Sequence, residues 1–583
     1  MNLSKILKIT SVSVVFVILF LYFFHPVANL TTDLGLYLKT GEIILQTKAI
    51  PSTNLFSYTY PSFHFINPNW LSEVFFYLIY KYLSFNGLII LSLLLIISAF
   101  GLIFVTASKY KPKFLVIVTV SLIYVQILFG RTDIKPELFS FLFLSVFLAI
   151  LYKYREKYTK WIYALIPLEL LWVNLHIYFF IGILVLLVFS LDAFLLKNRK
   201  RLSKKNIRLY LVTAASGIAT LGNPNFIKGV LYPLSVLNNY GFKVQENINF
   251  FTAIKTPSFE DPTFLYFGLA VAILWISLLL SLKKVATVGI LLSIIFTFAG
   301  FYAVRAFPLF VFGTYIACIK STSNVIDAMS KAFNKRKLSV AGIALSIFVI
   351  ILTFSSVKSN INNRGVGFGF GVIDNANDAV NFFLKNNIKG PIYNNYDIGS
   401  YLDFILYPKE KVFIDARPEA YPNEFFTDVY IPMHDSLTKF NQVADIYKFN
   451  SIIWDHTNTT EQENTLLSQM VRSDEWKLVY LNSMILISIK NTPENKSLIS
   501  KYLITENTVK LSKEDLNSKK NLEKLSNLFK NLGWYNLMLE VNLRYLDFEP
   551  NNCGTLKNVL YLMQKQNNPQ STIYMNKYLQ YCN

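Results

Sequence analysis

Asp33 stands just beyond the first apolar run, in a stretch from Thr31 to Glu73 that includes Pro51-Ser-Thr-Asn-Leu-Phe-Ser-Tyr-Thr59 and Asn67-Pro-Asn-Trp-Leu-Ser-Glu73. If the rest of the chain is a bundle of spans, this loop is the first place to expect chemistry. Further along, Arg131 and Lys135 in Gly130-Arg-Thr-Asp-Ile-Lys-Pro-Glu137, and Arg305 before Pro308, place cations in outward connections on the side of Asp33. Asn174 and His176, Asn223 before Pro224, and Glu246 add polar groups where apolar segments end. Polar groups at such positions are costly, so their concentration marks a site or pathway. Each residue also has a plainer role: Asp33 is a favoured N-cap for a helix starting at Leu34, and the three cations can snorkel to headgroups. His176 can bond between helices, Asn223-Pro224 can stop one, and Trp70 can anchor in the interface. The functional reading rests on the set.

The elements that must position these residues are membrane spans. Hydrophobic residues make up 53% of the 583-residue chain and charged ones 16%, too apolar for a soluble protein of this length. Eleven apolar segments are predicted as spans: Ile9–Phe24, Gly87–Val105, Phe114–Leu128, Leu138–Leu151, Trp161–Val173, Tyr178–Leu195, Leu209–Leu221, Phe264–Leu282, Val285–Phe301, Phe307–Ile319 and Leu338–Phe354. With Lys5 and Lys8 inside, that count puts every strongly basic connection on the cytoplasmic side: Lys109–Lys113, Lys153–Lys157, Lys197–Lys205, Lys283-Lys284 and Lys335–Lys337. The topology explains the net charge of +20 without nucleic acid, and it sends Asp33 and everything after Phe354 to the exterior. The first segment has no small-residue cleavage site after it and is read as a retained span.

Leu34–Gln46 is too short to span and reads as a helix in the interface plane; Trp70–Tyr82 reads as a second. Residues 1–357 thus form a transmembrane domain, with 31–73 as its first outer loop. Residues 358–490 alternate helix and strand patterns and are predicted as an extracytoplasmic α/β domain, with strands at Gly390–Asn394, Lys411–Asp415 and Ser451–Trp454 and a hairpin at Lys477–Leu481 and Met484–Ile489. Residues 491–583 are a linker and a helical tail similar to one tetratricopeptide unit plus a cap, suited to contact with a protein partner or the neighbouring domain. The cysteines, Cys318, Cys553 and Cys582, form no metal motif; Cys553 and Cys582 pair if the tail is extracytoplasmic and are otherwise free thiols.

As a series, several motifs resemble polytopic glycosyltransferases of the GT-C superfamily that carry an extracytoplasmic α/β tail. They are Asp33-Leu-Gly-Leu-Tyr-Leu-Lys-Thr-Gly41, Pro51 through Phe56-Ser-Tyr-Thr59, Trp70-Leu-Ser-Glu73, Arg131 with Lys135-Pro136, Trp172-Val-Asn-Leu-His176, Asn223-Pro224, Glu246, Arg305 with Pro308, Asn395-Tyr-Asp-Ile-Gly-Ser-Tyr401 and Val412-Phe-Ile-Asp-Ala-Arg417. The chain departs from that pattern at Tyr37, where a histidine is frequent, at Asn54, usually an aspartate, and at Ile177, commonly a glycine. The resemblance implies inverting transfer of a sugar from a polyprenyl-phosphate-linked donor to a glycan, lipid or protein acceptor outside the cytoplasmic membrane. Asp33 would be the base, Arg305, Arg131 and Lys135 the phosphate partners, and His176, Asn174, Asn223, Glu246, Tyr37 and Trp70 the substrate pocket. The lipid-linked sugar is a substrate, and no metal motif accompanies it. The alternatives are a flippase for a lipid-linked glycan, which predicts charges through the depth of the spans and internal repeats, and a catalytically inactive scaffold.

Overall fold

The structure, a computed structural model, describes residues 3–27, 33–195, 202–235, 240–242, 245–255, 262–332, 348–361, 367–372 and 376–582. Thr31, Thr32, the basic runs 197–201 and 335–337, and the first part of the predicted eleventh segment lie outside the described residues. The membrane domain contains α1 (Leu3–Phe23), α2 (Leu34–Thr47), α3 (Trp70–Ser108), α4 (Phe114–Ile127), α5 (Glu137–Glu156), α6 (Leu165–Leu175), α7 (Phe180–Phe194), α8 (Lys204–Ala219), α9 (Phe226–Ser235), α10 (Phe250–Ala253), α11 (Pro262–Leu280), α12 (Thr287–Tyr302), α13 (Phe307–Ala332) and α14 (Phe348–Ile361). Each predicted apolar segment falls on a helix where it is described. Among the described residues six helical segments are long and apolar enough to cross a membrane, which makes the chain a multi-pass membrane protein.

The two ends of this bundle differ. Lys113 pairs with Asp327 at 3.3 Å, Lys205 donates to the carbonyl of Arg155 at 2.7 Å, and Lys320 lies over Tyr110, so the basic connections meet at one end. Arg131, Glu137, His176 and Arg305 lie at the other ends of their helices.

Helix α3 has 39 residues and would be about 58 Å long at ~1.5 Å per residue, nearly twice the ~30 Å hydrocarbon layer. It is broken at Ser84 (φ +56°, ψ −162°), which separates a Trp70–Leu83 leg from the apolar span. That leg packs on α2, whose buried face includes Leu34, Leu36, Leu38 and Ile44 and whose other face carries a Lys39–Glu42 ion pair. Two glycines permit the close approach: a Cβ on Gly41 would lie 2.1 Å from the Glu73 carbonyl oxygen, and one on Gly35 would lie 2.7 Å from that of Ser400. Gly41→Ala is therefore expected to cost about 1–3 kcal/mol by overpacking. Gly268→Ala, where nothing lies within 4 Å of the added Cβ, should be neutral or slightly stabilising. Thermal unfolding of the two detergent-solubilised variants checks this, and equal melting temperatures would contradict it.

The second domain comprises α15 (Ala376–Lys385), β1 (Ile392–Asn394), α16 (Tyr396–Leu406), α17 (Leu437–Tyr447), β2 (Ser451–Asp455), α18 (Glu461–Arg472), β3 (Trp476–Leu481) and β4 (Ile485–Lys490). Its sheet has the order β1-β2-β4-β3, parallel at β1–β2 and antiparallel elsewhere. The predicted strand Lys411–Asp415 is not part of this sheet. Its partners come from other places: Val412 bridges Ser57, the Phe413 carbonyl accepts from the hydroxyls of Ser57 and Thr59, and Asn394 bonds the Phe413 amide and the Ile414 carbonyl. The 51–65 segment of the membrane domain is thereby stitched to the α/β domain, and one apolar core runs across both.

The tail continues with α19 (Lys496–Tyr502), α20 (Lys513–Leu516), α21 (Lys519–Leu532), α22 (Tyr535–Phe548), α23 (Cys553–Lys565) and α24 (Ser571–Tyr581). Gly533 closes α21 in the left-handed region, φ +75°. Leu522, Leu525, Phe529 and Val541 share the core of Trp454 and Trp476, so the first pair of tail helices packs on the α/β domain. Cys553 and Cys582 form a disulfide.

Candidate functional site

A cavity of about 690 Å³ lies between the non-basic end of the bundle and the α/β domain, within the usual size range of a ligand pocket. The membrane domain contributes Asp33, Tyr37, Glu73, Arg131, Lys135, Glu137, His176, Glu246 and Arg305 to its lining; the α/β domain contributes Tyr396, Asp397, Arg417, Glu419, Tyr430 and residues 458–460.

Asp33 precedes α2 with helical dihedrals (φ −64°, ψ −18°) and makes no side-chain capping hydrogen bond. The capping role that its position allows is therefore not the one it takes. Its Oδ2 instead lies 3.3 Å from Lys135 Nζ and 3.4 Å from the Tyr37 hydroxyl. Lys135 also donates to Glu246 at 2.8 Å, and Glu246 accepts from Arg131 Nη1 at 2.8 Å. Arg131 grips Glu137 through two hydrogen bonds of 2.9 and 2.8 Å. The result is one ionic ladder, Asp33–Lys135–Glu246–Arg131–Glu137. Burial alone would lower the affinity of Lys135 for its proton, but Asp33 and Glu246 hold it well above the usual lysine range. Burial likewise raises Glu246, and Lys135 and Arg131 more than reverse this, keeping it ionised far below the usual carboxylate range.

Eight carboxylates and four cationic side chains line the cavity, so it matters which cations are already neutralised. Arg131 and Lys135 are held in the ladder, and Arg417 is held by Asp415 at 2.6 and 2.9 Å. Arg305 differs. Its Nε donates to the Tyr178 hydroxyl at 3.1 Å and its Nη1 to Asn247 Oδ1 at 2.9 Å, and it has no carboxylate partner among the described residues. Its two bonds to neutral oxygens aim the guanidinium without a direct ion pair, and Glu137 acts on it only through space. Of the three cations expected to meet a phosphate, Arg305 is the one positioned to do so without displacing an ion pair.

His176 lines the cavity with Nδ1 2.8 Å from Ser140 Oγ, which also accepts from Trp172 Nε1 at 2.8 Å. Trp70, Asn174 and Asn223, expected in the substrate pocket, do not line it. Trp70 Nε1 donates to Asn174 Oδ1 at 3.0 Å, and the Asn174 amide donates to the carbonyls of Leu170 and Gly222. Asn223 closes its own turn through the carbonyls of Thr220 and Phe226 and the amide of Asn225. All three hold the frame because their polar atoms are spent on neighbouring backbone or on each other. Asn54 is also structural: fully buried, it accepts from Arg417 Nη2 at 2.9 Å and donates to the Ala420 carbonyl. Ile177 does line the cavity.

On the α/β wall, Asp397 and Arg417 stand inside motifs of the sequence, whereas Glu419 does not. Glu73 and Glu137 stood inside motifs that were recognised but gave no sign of facing a cavity. Glu73 is 4% exposed and accepts from Asn67 Nδ2 at 2.7 Å. Glu419 follows the Asp415–Arg417 pair, and Asp397 begins α16, where it accepts from Asn458 Nδ2 at 2.6 Å. Burial, reinforced by neighbouring carboxylates, pushes Glu419 up to about 7 and Asp397 up to about 6. Among the described residues no group of three or more His, Cys, Asp or Glu side chains is arranged to hold a metal ion.

No family model matches the chain, and no curated protein matches it. Among solved structures, it is similar to the cryo-EM structure of the arabinofuranosyltransferase AftD from Mycobacteria (R1389S mutant, class 2) at a TM-score of 0.49 and 12% identity, over 84% of this chain and 42% of that one. The present chain thus spans less than half the length of that protein. It is also similar to the crystal structure of ArnT from Cupriavidus metallidurans in the apo state, at a TM-score of 0.49 and 10% identity, over 84% of this chain and 98% of that one. Both are GT-C superfamily glycosyltransferases.

Proposed function

We propose that the protein transfers a sugar from a polyprenyl-phosphate-linked donor to an acceptor hydroxyl at the outer face of the cytoplasmic membrane. The observation that carries this reading is that Asp33, which does not cap its helix, and Arg305, which has no carboxylate ion-pair partner among the described residues, line one cavity at the end of a membrane bundle. Arg305 takes the donor phosphate. Asp33 accepts the acceptor's hydroxyl proton as the oxygen bonds to the anomeric carbon, the carbon–oxygen bond to phosphate breaks, and its electron pair leaves with the polyprenyl phosphate beside Arg305. A single displacement inverts the anomeric centre. The ladder keeps Asp33 beside Lys135, a cation shared with Glu246. The Cys553–Cys582 disulfide supports an oxidising compartment for the tail, and with it the external placement of the cavity.

A flippase needs polar groups through the depth of the bundle. Glu169, within α6, does not line this cavity, and the Arg155–Asp192 pair lies at the opposite, basic end of the bundle. The test is to present the full chain in nanodiscs with a panel of undecaprenyl-phosphate-linked sugars and to measure release of undecaprenyl phosphate by mass spectrometry. Release from at least one donor is expected. Intact donors moved between leaflets would turn the reading towards transport, and intact donors without movement would turn it towards a scaffold.

A further inference from the structure

The two walls of the cavity differ in how their charged groups are partnered. On the membrane side Arg305 offers a positive charge with no ion pair to a carboxylate among the described residues. On the α/β side Glu419 has no ion pair among the described residues, because the guanidinium two residues before it is taken by Asp415 and Asn54. Asp397 meets an amide, Asn458, and no cation among the described residues. The charged groups acting on these two carboxyls are Asp33, Glu73, Asp415, Asp455 and Glu463, with Arg417 as the opposing cation, and the phenols of Tyr232 and Tyr240 face Glu419.

Beside them is a fixed aromatic platform. Phe242, from the connection between α9 and α10, lies over Tyr396 with ring centroids 4.5 Å apart and also touches Phe426 and Tyr430. The Tyr396 amide donates to the Tyr430 hydroxyl at 2.9 Å, which ties that ring to the start of α16.

We infer that this wall, around Tyr396, Asp397 and Glu419, is an acceptor subsite for a neutral, polyhydroxylated group, a saccharide, and that it turns away acceptors carrying an anionic group. The inference rests on the donor assignment above and names the acceptor class for the same cavity. Carboxylates are acceptor-only groups when ionised and suit ligands rich in hydroxyl donors. Phe242 and Tyr396 both line the cavity and offer aromatic surface to the apolar side of a sugar ring. A uronate or phosphate would instead add like charge to a set of carboxyls held close together. Burial holds Asp397 at about 6 and Glu419 at about 7, so this discrimination strengthens as pH rises through that range.

The test uses the full chain in nanodiscs and saturation-transfer NMR with methyl glucoside, mannoside and galactoside, each beside its uronate. At least one neutral glycoside is expected to bind, with its uronate at least about tenfold weaker at pH 8 and the gap smaller at pH 5.5. Glu419→Gln should narrow the pH 8 gap, and the near-isosteric Asp397→Asn should do so independently. A uronate that binds the unaltered protein as well as its neutral partner, a gap that neither substitution changes, or no binding of any neutral glycoside would overturn the subsite. Failure of the donor assignment shows separately, as absence of undecaprenyl phosphate capture by the same preparation.

Discussion

Asp33→Asn lowers sugar transfer by roughly 10²–10⁴-fold, the range a positioned general base contributes, and the loss falls on kcat. The substitution is nearly isosteric and removes no capping bond, since Asp33 makes none. An amide oxygen can still accept from Lys135, whose ammonium is 3.3 Å away, so α2 should stay in place. A rival explanation is that Asp33 only neutralises Lys135. That account requires the double variant with Lys135→Met to recover activity, because the unpaired cation would then be gone as well. A base that accepts the proton cannot be replaced in this way, and the double variant should remain as slow as Asp33→Asn. Full transfer activity in Asp33→Asn, measured by single-turnover conversion of the donor, would refute the assignment.

Arg305→Ala should reduce donor turnover by about 10²–10³-fold, the cost of removing one group aimed at developing charge, and should weaken capture of undecaprenyl phosphate in parallel. Arg305→Lys should recover part of the loss by restoring charge without the planar fork. Arg131→Ala gives the necessary contrast. Arg131 holds Glu137, which is 5% exposed on its side chain, through two hydrogen bonds, and it also meets Glu246. Its removal leaves the buried Glu137 carboxylate without its counter-ion, while Glu246 keeps Lys135, and is expected to destabilise the protein by about 3–5 kcal/mol. Thermal unfolding and lipid capture read together separate the two arginines: one variant folds normally and fails to hold phosphate, the other melts early. Identical behaviour would mean that the ladder and Arg305 are not distinct parts.

The helices were legible because apolar runs bounded by basic connections have few alternatives. The break in α3 was legible too, since Trp70–Tyr82 was amphipathic and the apolar run began only at Gly87. Much of the membrane side of the cavity could be read from residue type and place: Asp33, Arg131, Lys135, His176, Glu246 and Arg305 all stand where apolar segments end, and all line the cavity. Trp70, Asn174 and Asn223 show where that reasoning stops. An indole or an amide at a helix end satisfies a neighbouring carbonyl as readily as a ligand, and their spacing does not distinguish the two. Lys411–Asp415 has the pattern of a buried strand but finds its partners in Asn394 and the 51–65 segment, a long-range docking that local sequence does not encode. The same docking brings Asp397 and Glu419 opposite Arg305, more than ninety residues away along the chain. Asp397 stands inside a recognised motif and Glu419 does not, but that both face this cavity depends on how the chain packs over long range.

The most direct measurement is a cryo-EM map of the full chain in nanodiscs loaded with undecaprenyl phosphate. Phosphate density against the Arg305 guanidinium, with the lipid tail leaving between helices and Asp33 facing the same space, is the predicted result. Phosphate bound at the basic end near Lys113 and Lys205, with the cavity between Asp33 and Arg305 empty, would contradict the assignment of this cavity as the site of sugar transfer.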